Sequence, residues 1–308
     1  MRVFITGASG HIGSALVPEL LAAGHQVIGL ARSDASAAAL AAAGATVRRG
    51  DLDDLAGLRE AATAADGVIH LAFKHDQAFT GDYAGAAAAD LRAVEAIGAA
   101  LEGSGKPFVG TSGTLVLARI ALGRTGTEQD RLDGGPRVDA ENAVIAMADR
   151  GVRSSVIRLA PTVHSPLDRH GFVPTLIGMA RAHGAAAYVG DGSNRWPAVH
   201  TLDAARLYRL ALEGAPAGSR LHGVADEGIA FREIAEAIGR GLGVPAVSIT
   251  AEDAAQRLGF LAAFAQLDNP TSSARTRTLV NWQPRHPGLL ADLAERHYFE
   301  LSEPAHAR

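Results

Sequence analysis

The 308-residue sequence contains no cysteine, which excludes a disulfide framework, a thiol nucleophile and a thiolate metal site. Lysine is almost absent: of 29 basic residues only Lys74 and Lys106 are lysines. No dense Lys/Arg block occurs that would meet nucleic-acid phosphates, so nucleic acid is not an expected partner. No apolar run approaches the roughly 20 residues of a membrane span, so no membrane partner is expected either. The N-terminus, Met1 to Gly10, reads as a strand and a glycine turn rather than a secretory signal, and a cytoplasmic location is expected. Tyrosine is also scarce, with Tyr83, Tyr188, Tyr208 and Tyr298 making up the whole set. What the chain has in plenty is apolar material. Hydrophobic residues make up 47% against 20% charged, at a net charge of −4, which provides for a core and excludes disorder.

Short β-rich runs alternate with Ala/Leu-rich helical stretches through the first half. Strands are read at Val3–Thr6, Gln26–Leu30, Thr46–Arg48, Gly67–Ala72, Pro107–Gly110 and Arg153–Arg158. The intervening helices are Ser14–Ala23, Ala35–Ala43, Leu55–Ala64, Tyr83–Glu102 and Val138–Asp149. This alternation implies right-handed crossovers and an α/β fold, a Rossmann-type doubly wound parallel sheet in a three-layer sandwich. The pattern becomes irregular after Arg158, with helices at Val173–His183, Ala204–Leu212, Arg232–Gly241 and Ala251–Ala265. We read residues 1–163 as a dinucleotide-binding domain to which 198–224 return. Residues 164–197 and 225–308 form a smaller mixed α/β substrate lobe.

Val3 to Ser14 places Gly7, Gly10 and Gly13 at spacing three between a strand and a helix. Gly7 permits the tight turn, Gly10 lets the backbone approach a pyrophosphate, and Gly13 allows close helix–strand packing. The helix N-terminus then stabilises the negative charge. The binding loop comprises Gly7, Ser9, Gly10, His11, Ile12 and Gly13. About 20 residues further on, where an acidic residue would take a ribose hydroxyl, stand Arg32 and Ser33. A guanidinium and a hydroxyl suit a 2′-phosphate, so NADP(H) is favoured over NAD(H). The competing reading leaves Arg32 in solvent and gives the ribose to Asp34.

These residues resemble the short-chain dehydrogenase/reductase superfamily, in its extended and atypical branch of NAD-dependent epimerases and dehydratases. The resemblance covers most of the chain. It rests on Thr6 to Gly13, Gly50-Asp51-Leu52, His70-Leu71-Ala72, Gly110 to Thr114, Arg158 to Val163, and Val199 to Ala205 as a returning strand and helix. It implies that Asp51 and Leu52 contact adenine. Leu71, Ala72, Phe73 and Thr111 would line the cofactor, and Pro161, Thr162 and Val163 would flank the nicotinamide. It also makes a homodimer plausible.

The family's catalytic signature is a tyrosine with a lysine four residues on, and a nearby Ser or Thr. Here Ala87, Gly192, Leu212 and Ser302 follow the four tyrosines at that offset. Arg137 and Glu141 fill the two slots by position, and as an i, i+4 pair they are able to form an ion pair on one helix face. Arg137 cannot give up its proton at neutral pH, but it can hydrogen-bond a carbonyl oxygen and stabilise developing negative charge. Strand-end position nominates Lys74 and His75 after the fourth strand, Thr111, Ser112 and Thr114 after the fifth, and His164 after the sixth. Arg137, Ser112, Thr114 and Lys74 are thus the candidate catalytic set.

His164, Arg195 and Trp196 are candidate substrate contacts, with Trp196 equally readable as core. The run from His164 to His170 contains two histidines and an aspartate but lacks regular spacing, so a polar loop is expected there and no metal. The sequence points to an NADPH-dependent oxidoreductase acting on a carbonyl of a small or medium-sized substrate. The alternatives are a nucleotide-sugar epimerase or dehydratase, and a non-catalytic NADP(H)-binding sensor.

Overall fold

A computed structural model describes residues 1–118, 120 and 123–300. The first half runs β1 (Arg2–Thr6), α1 (His11–Ala22), β2 (Gln26–Ala31), α2 (Asp34–Ala42), β3 (Thr46–Arg49), α3 (Leu55–Ala64), β4 (Gly67–His70), α4 (His75–Phe79), α5 (Tyr83–Leu101), β5 (Pro107–Gly113), α6 (Leu115–Ala118), α7 (Val138–Ala146) and β6 (Arg153–Leu159). The second half runs β7 (Thr162–His164), α8 (Phe172–His183), β8 (Ala186–Val189), β9 (Arg195–His200), α9 (Thr201–Gly214), β10 (Ser219–Gly223), β11 (Asp226–Ala230), α10 (Phe231–Leu242), β12 (Ala246–Ile249), α11 (Ala254–Leu258), α12 (Ala274–Leu279) and α13 (Leu289–Asp292). Helix starts are fixed locally. The Ser33, Asp54 and Asp82 side chains accept from the backbone N–H groups of Ser36, Gly57 and Gly85, satisfying donors that the first helical turn leaves open.

Seven strands form one sheet in the order β10-β6-β5-β4-β1-β2-β3, and every pairing in it is parallel. Both faces are covered, which explains the apolar runs in β1 and β4. Val3 and Ile5 pack with Leu16, Leu20 and Leu207 on one side, while Phe4 between them packs with Leu58, Val94 and Ile97 on the other. The chain reverses its direction across the sheet between β1 and β4, and a crevice opens there at the carboxyl ends of the strands.

Beyond this sheet lie a three-stranded sheet, β11-β9-β7, and the pair β12-β8. A third core, including Val173, Ile177, Phe231, Ile234 and Leu258, knits α8, α10 and α11 together. The expected returning strand at Val199 is corrected here: β9 pairs with β7 and β11, and it is β10 that joins the main sheet, parallel to β6. The expected helix over Ala251–Ala265 is broken, because Gly259 turns the backbone to φ +48° and a 3-10 turn follows over Gly259–Ala263.

Candidate active site

The glycine loop sits at the crevice. Gly7 has φ +71°, and a Cβ there would come within 2.7 Å of the Ala72 backbone nitrogen. At Gly13 a Cβ would come within 2.3 Å of the Gly7 carbonyl oxygen. Both positions therefore require glycine, the first for its conformation and its neighbour, the second for close packing alone. Gly10 caps α1 without a side-chain hydrogen bond, so the amides of the first turn remain open to an anion. This cradle fits the pyrophosphate of a nicotinamide dinucleotide, with Gly7, Gly10 and Gly13 shaping it and Leu71 to Phe73 opposite. His11 is tied back, its Nε2 lying 2.8 Å from Thr201 Oγ1.

At the end of β2, the Arg32 guanidinium is 70% exposed and reaches Asp76 at 3.2 Å. Ser33 accepts from Ser36 N at 3.2 Å. Arg49, at the end of the neighbouring β3, pairs with Asp34. The Asp51 carboxylate accepts from the Asp53 and Asp54 amides, while Leu52 is buried in the core. Lys74 is paired with Asp53 at 2.6 Å, which holds its ammonium at the rim.

A connected polar arrangement surrounds Arg137. Its backbone is left-handed, φ +68°, although it is not glycine. Its Nη1 donates to Asp90 Oδ2 at 2.8 Å and its Nη2 to the Thr111 carbonyl at 2.9 Å. Its guanidinium lies 4.3 Å over the Phe73 ring, a cation–π contact. Asp90 in turn meets His70 Nε2 at 3.0 Å, and His70 Nδ1 meets Thr6 Oγ1 at 2.8 Å. A buried relay, Thr6–His70–Asp90, thus stands behind the guanidinium. Burial alone would push the Asp90 carboxyl up, but Arg137 and His70 outweigh it and hold the group below the usual carboxylate range. His75 packs edge-on to the same Phe73 ring at 5.1 Å, and its pKa is lowered by burial first and by Arg137 second.

The expected ion pair between Arg137 and Glu141 does not form. Glu141 turns the other way and accepts from Arg158 Nε at 3.0 Å, Arg158 Nη2 at 2.6 Å and Arg220 Nε at 2.8 Å. Arg137 is the residue before α7, outside the helical turn, so the two side chains diverge. Ser112 is buried, beside the Glu141 carboxylate. Thr114 is fully buried and accepts from Asn269 Nδ2 at 2.9 Å. Thr111 Oγ1 donates to the His70 carbonyl at 2.6 Å, so the Tyr208 hydroxyl, 2.8 Å away, donates to Thr111. The hydroxyls of Thr111 and Thr114 are thereby committed to holding strands and loops together.

The candidates further along lie away from this group. Thr162 Oγ1 donates to the Pro197 carbonyl, tying β7 to β9, and the Pro161 and Val163 side chains on either side are half-buried. His164 is fully buried with Nδ1 2.7 Å from Asp292 Oδ2. Trp196 is fully buried in the lobe core, its Nε1 donating to the Phe264 carbonyl. Arg195 is clamped bidentately by Asp268. Among the described residues no group of three or more His, Asp or Glu side chains is arranged to hold a metal ion, and no helix is long and apolar enough to cross a membrane.

From sequence, His70 stands only within the motif that ends the fourth strand and Asp90 has no assigned role, although a signal exists for Asp90. Asp90 falls in the stripe Ala86, Ala93, Val94 and Ile97 that α5 buries, and a carboxylate in a buried stripe requires a partner.

Residues 3–128 match the NAD dependent epimerase/dehydratase family. An uncharacterized protein of Schizosaccharomyces pombe is 47% identical over 301 residues, 97% of this chain and 100% of that protein. The 2-alkyl-3-oxoalkanoate reductase of Stenotrophomonas maltophilia is 28% identical over 262 residues, 80% of this chain and 77% of the reductase. Among solved structures, the dTDP-glucose 4,6-dehydratase DesIV of Streptomyces venezuelae shares the fold with TM-score 0.75 at 20% identity, covering 96% of each chain. With the glycine cradle, the parallel sheet and this sequence similarity in agreement, the chain belongs to the NAD dependent epimerase/dehydratase family.

Proposed function

We propose that the protein is an NADPH-dependent oxidoreductase that reduces a carbonyl group of a small or medium-sized substrate, with Arg137 as the group that receives the carbonyl oxygen. The single observation carrying this reading is the placement of Arg137 at the crevice end of β5 by Asp90, Thr111 and Phe73. A left-handed backbone at a non-glycine residue persists only where its surroundings enforce it, and such strain concentrates at functional sites. The bound cofactor supplies hydride. As the carbonyl carbon gains it, an electron pair moves onto oxygen, and this is the charge that Arg137 stabilises. Of the five guanidinium N–H groups, those on Asp90 and Thr111 are committed and the remainder are available, with 14% of the side chain exposed. The alkoxide then takes a proton that enters from solvent beside His75, because Arg137 keeps its own.

Arg32, Ser33 and Arg49 at the ends of β2 and β3 support the choice of NADPH, since two guanidinium groups flank the place where a 2′-phosphate lies in this fold. A relative bearing the name of an oxoalkanoate reductase agrees with carbonyl reduction. The test is purified protein with NADPH and a panel of aldehydes and ketones, followed by loss of reduced-nicotinamide absorbance. Turnover is expected. Tight NADPH binding with no turnover on any of them overturns the reading in favour of a cofactor-binding sensor.

A further inference from the structure

Aromatic residues make up only 5% of the chain, and one run of them leads away from the Arg137 site. Starting from Phe73 beneath the Arg137 guanidinium, ring contacts pass to His75 at 5.1 Å and from His75 to Phe79 at 5.7 Å. From Phe79 they cross to Phe260 at 4.8 Å and continue to Phe172 at 6.3 Å. Five of the nine phenylalanines belong to this run or touch it, Phe264 among them inside the lobe, and Phe231 joins only through Trp196.

Most of these rings are explained as core. Phe79 and Phe260 are not, being 47% and 41% exposed. They come from opposite sides, Phe79 from α4 after the fourth strand of the main sheet and Phe260 from the turn after Gly259 in the lobe. Their centroids are 4.8 Å apart with planes inclined by 32°, so the two rings pack offset on one another and their remaining apolar area faces water. Two large exposed rings meeting across a crevice leave apolar area in water that burial would otherwise remove. Through His75 and Phe73 this surface is continuous with the Arg137 site.

We propose that Phe79 and Phe260 form a platform for an aromatic ring of the substrate, which is an aryl-alkyl carbonyl compound whose ring stacks there while its carbonyl oxygen meets Arg137. This rests on the carbonyl-reductase reading above and adds a substrate class to it. The spacer is required because His75 and Phe73 stand between the platform and the guanidinium. Aromatic faces favour an aromatic partner over a saturated ring of similar size.

The experiment compares benzylacetone with its cyclohexyl counterpart as substrates for wild type, Phe79→Ala and Phe260→Ala. Circular dichroism checks that both variants fold. In parallel, fluorine NMR follows para-fluorobenzylacetone with protein and NADP⁺, where reduction cannot proceed, so ring binding is read without turnover. We expect kcat/KM about tenfold higher for the aromatic ketone, with the preference erased in either variant, and line broadening that both variants lose. Equal kcat/KM for the two ketones, or broadening unchanged in both variants, overturns the platform. Broadening that depends on the two phenylalanines without reduction of any ketone keeps the platform and overturns the reductase reading. Reduction without ring preference does the reverse.

Discussion

Arg137 Nη1 and Asp90 Oδ2 lie 2.8 Å apart, and this bond joins the start of α7 to the buried face of α5. It determines where the guanidinium can go. A surface arginine samples many rotamers, whereas this one is held by a carboxylate that is itself fixed by His70 and is 1% exposed. Arg137→Ala should lower kcat by roughly a hundredfold or more, the cost of removing a donor to a developing oxyanion, with NADPH affinity unchanged. Arg137→Lys should recover only part, since an ammonium cannot span Asp90 and Thr111 together. Steady-state kinetics alongside fluorescence titration of NADPH separates the two quantities, and full activity in Arg137→Ala removes the residue from the mechanism.

Arg32 provides the cofactor prediction. Its side chain is 70% exposed and its contact with Asp76 is a surface pair, worth at most about 1 kcal/mol, so it is free to turn to a phosphate. Arg32→Ala should weaken NADPH binding by roughly tenfold to a hundredfold and leave NADH binding almost unchanged. Equal losses for the two cofactors would place Arg32 outside the 2′-phosphate site.

The fold was largely legible because parallel strands buried on both faces are rich in apolar residues, as at Val3 and Val68, and less purely at Val156, whose strand also buries Ser154, Ser155 and Arg158. The glycine loop was equally legible, since its spacing reflects backbone approaches that no side chain tolerates. Residues that act through partners distant in sequence were harder to place. Arg137 looked like one half of an i, i+4 pair with Glu141, and only the folded chain brings Asp90, 47 residues away, to it. His164 and Trp196 looked polar and flat enough to meet a substrate, but residues far along the chain, Asp292 and Phe264, draw them inward. The lobe strand at Val199 has the composition of a main-sheet strand, and only its register with β7 and β11 distinguishes it.

Glu141 gives a stability prediction. Its carboxylate is 2% exposed and lies between Arg158 and Arg220. Burial pushes its pKa up, but the two arginines outweigh this and keep it ionised. Glu141→Gln leaves Arg158 buried with its charge uncompensated, at a cost of about 3–5 kcal/mol. Glu141→Lys adds a third cation to the same site and should prevent folding altogether. A lysine at this position therefore cannot be introduced without altering Arg158 as well. Chemical denaturation of the glutamine variant and soluble yield of the lysine variant are the measurements, and a stable Glu141→Lys protein would contradict the ion-pair account.

Acid weakens the fold through its buried histidines. Burial is the main reason that His11, His200 and His222 are each lowered from 6.5 to about 4. Neighbouring histidines add to this for His11 and His200, and the Nδ1 of His200 is engaged by the Leu202 amide. In the unfolded chain these rings take up protons as pH falls through 6.5, whereas in the fold they resist until about 4. The unfolded state therefore binds more protons in that window, and stability must fall as pH falls across it. Asp168 acts in the opposite direction. Burial raises its carboxyl from 3.8 to about 7, so the folded state keeps a proton that the unfolded chain has lost, and this contribution weakens the fold as pH rises. Because His75 is lowered as well, the histidines outnumber the one aspartate, so unfolding takes up protons on balance at about pH 5 and stability falls as pH falls. Asp168→Asn removes the opposing group and should steepen the slope by about one proton. Urea midpoints measured through this range for both proteins provide the check. A flat profile, or a shallower one in the variant, would mean that these groups titrate alike in the folded and unfolded chains.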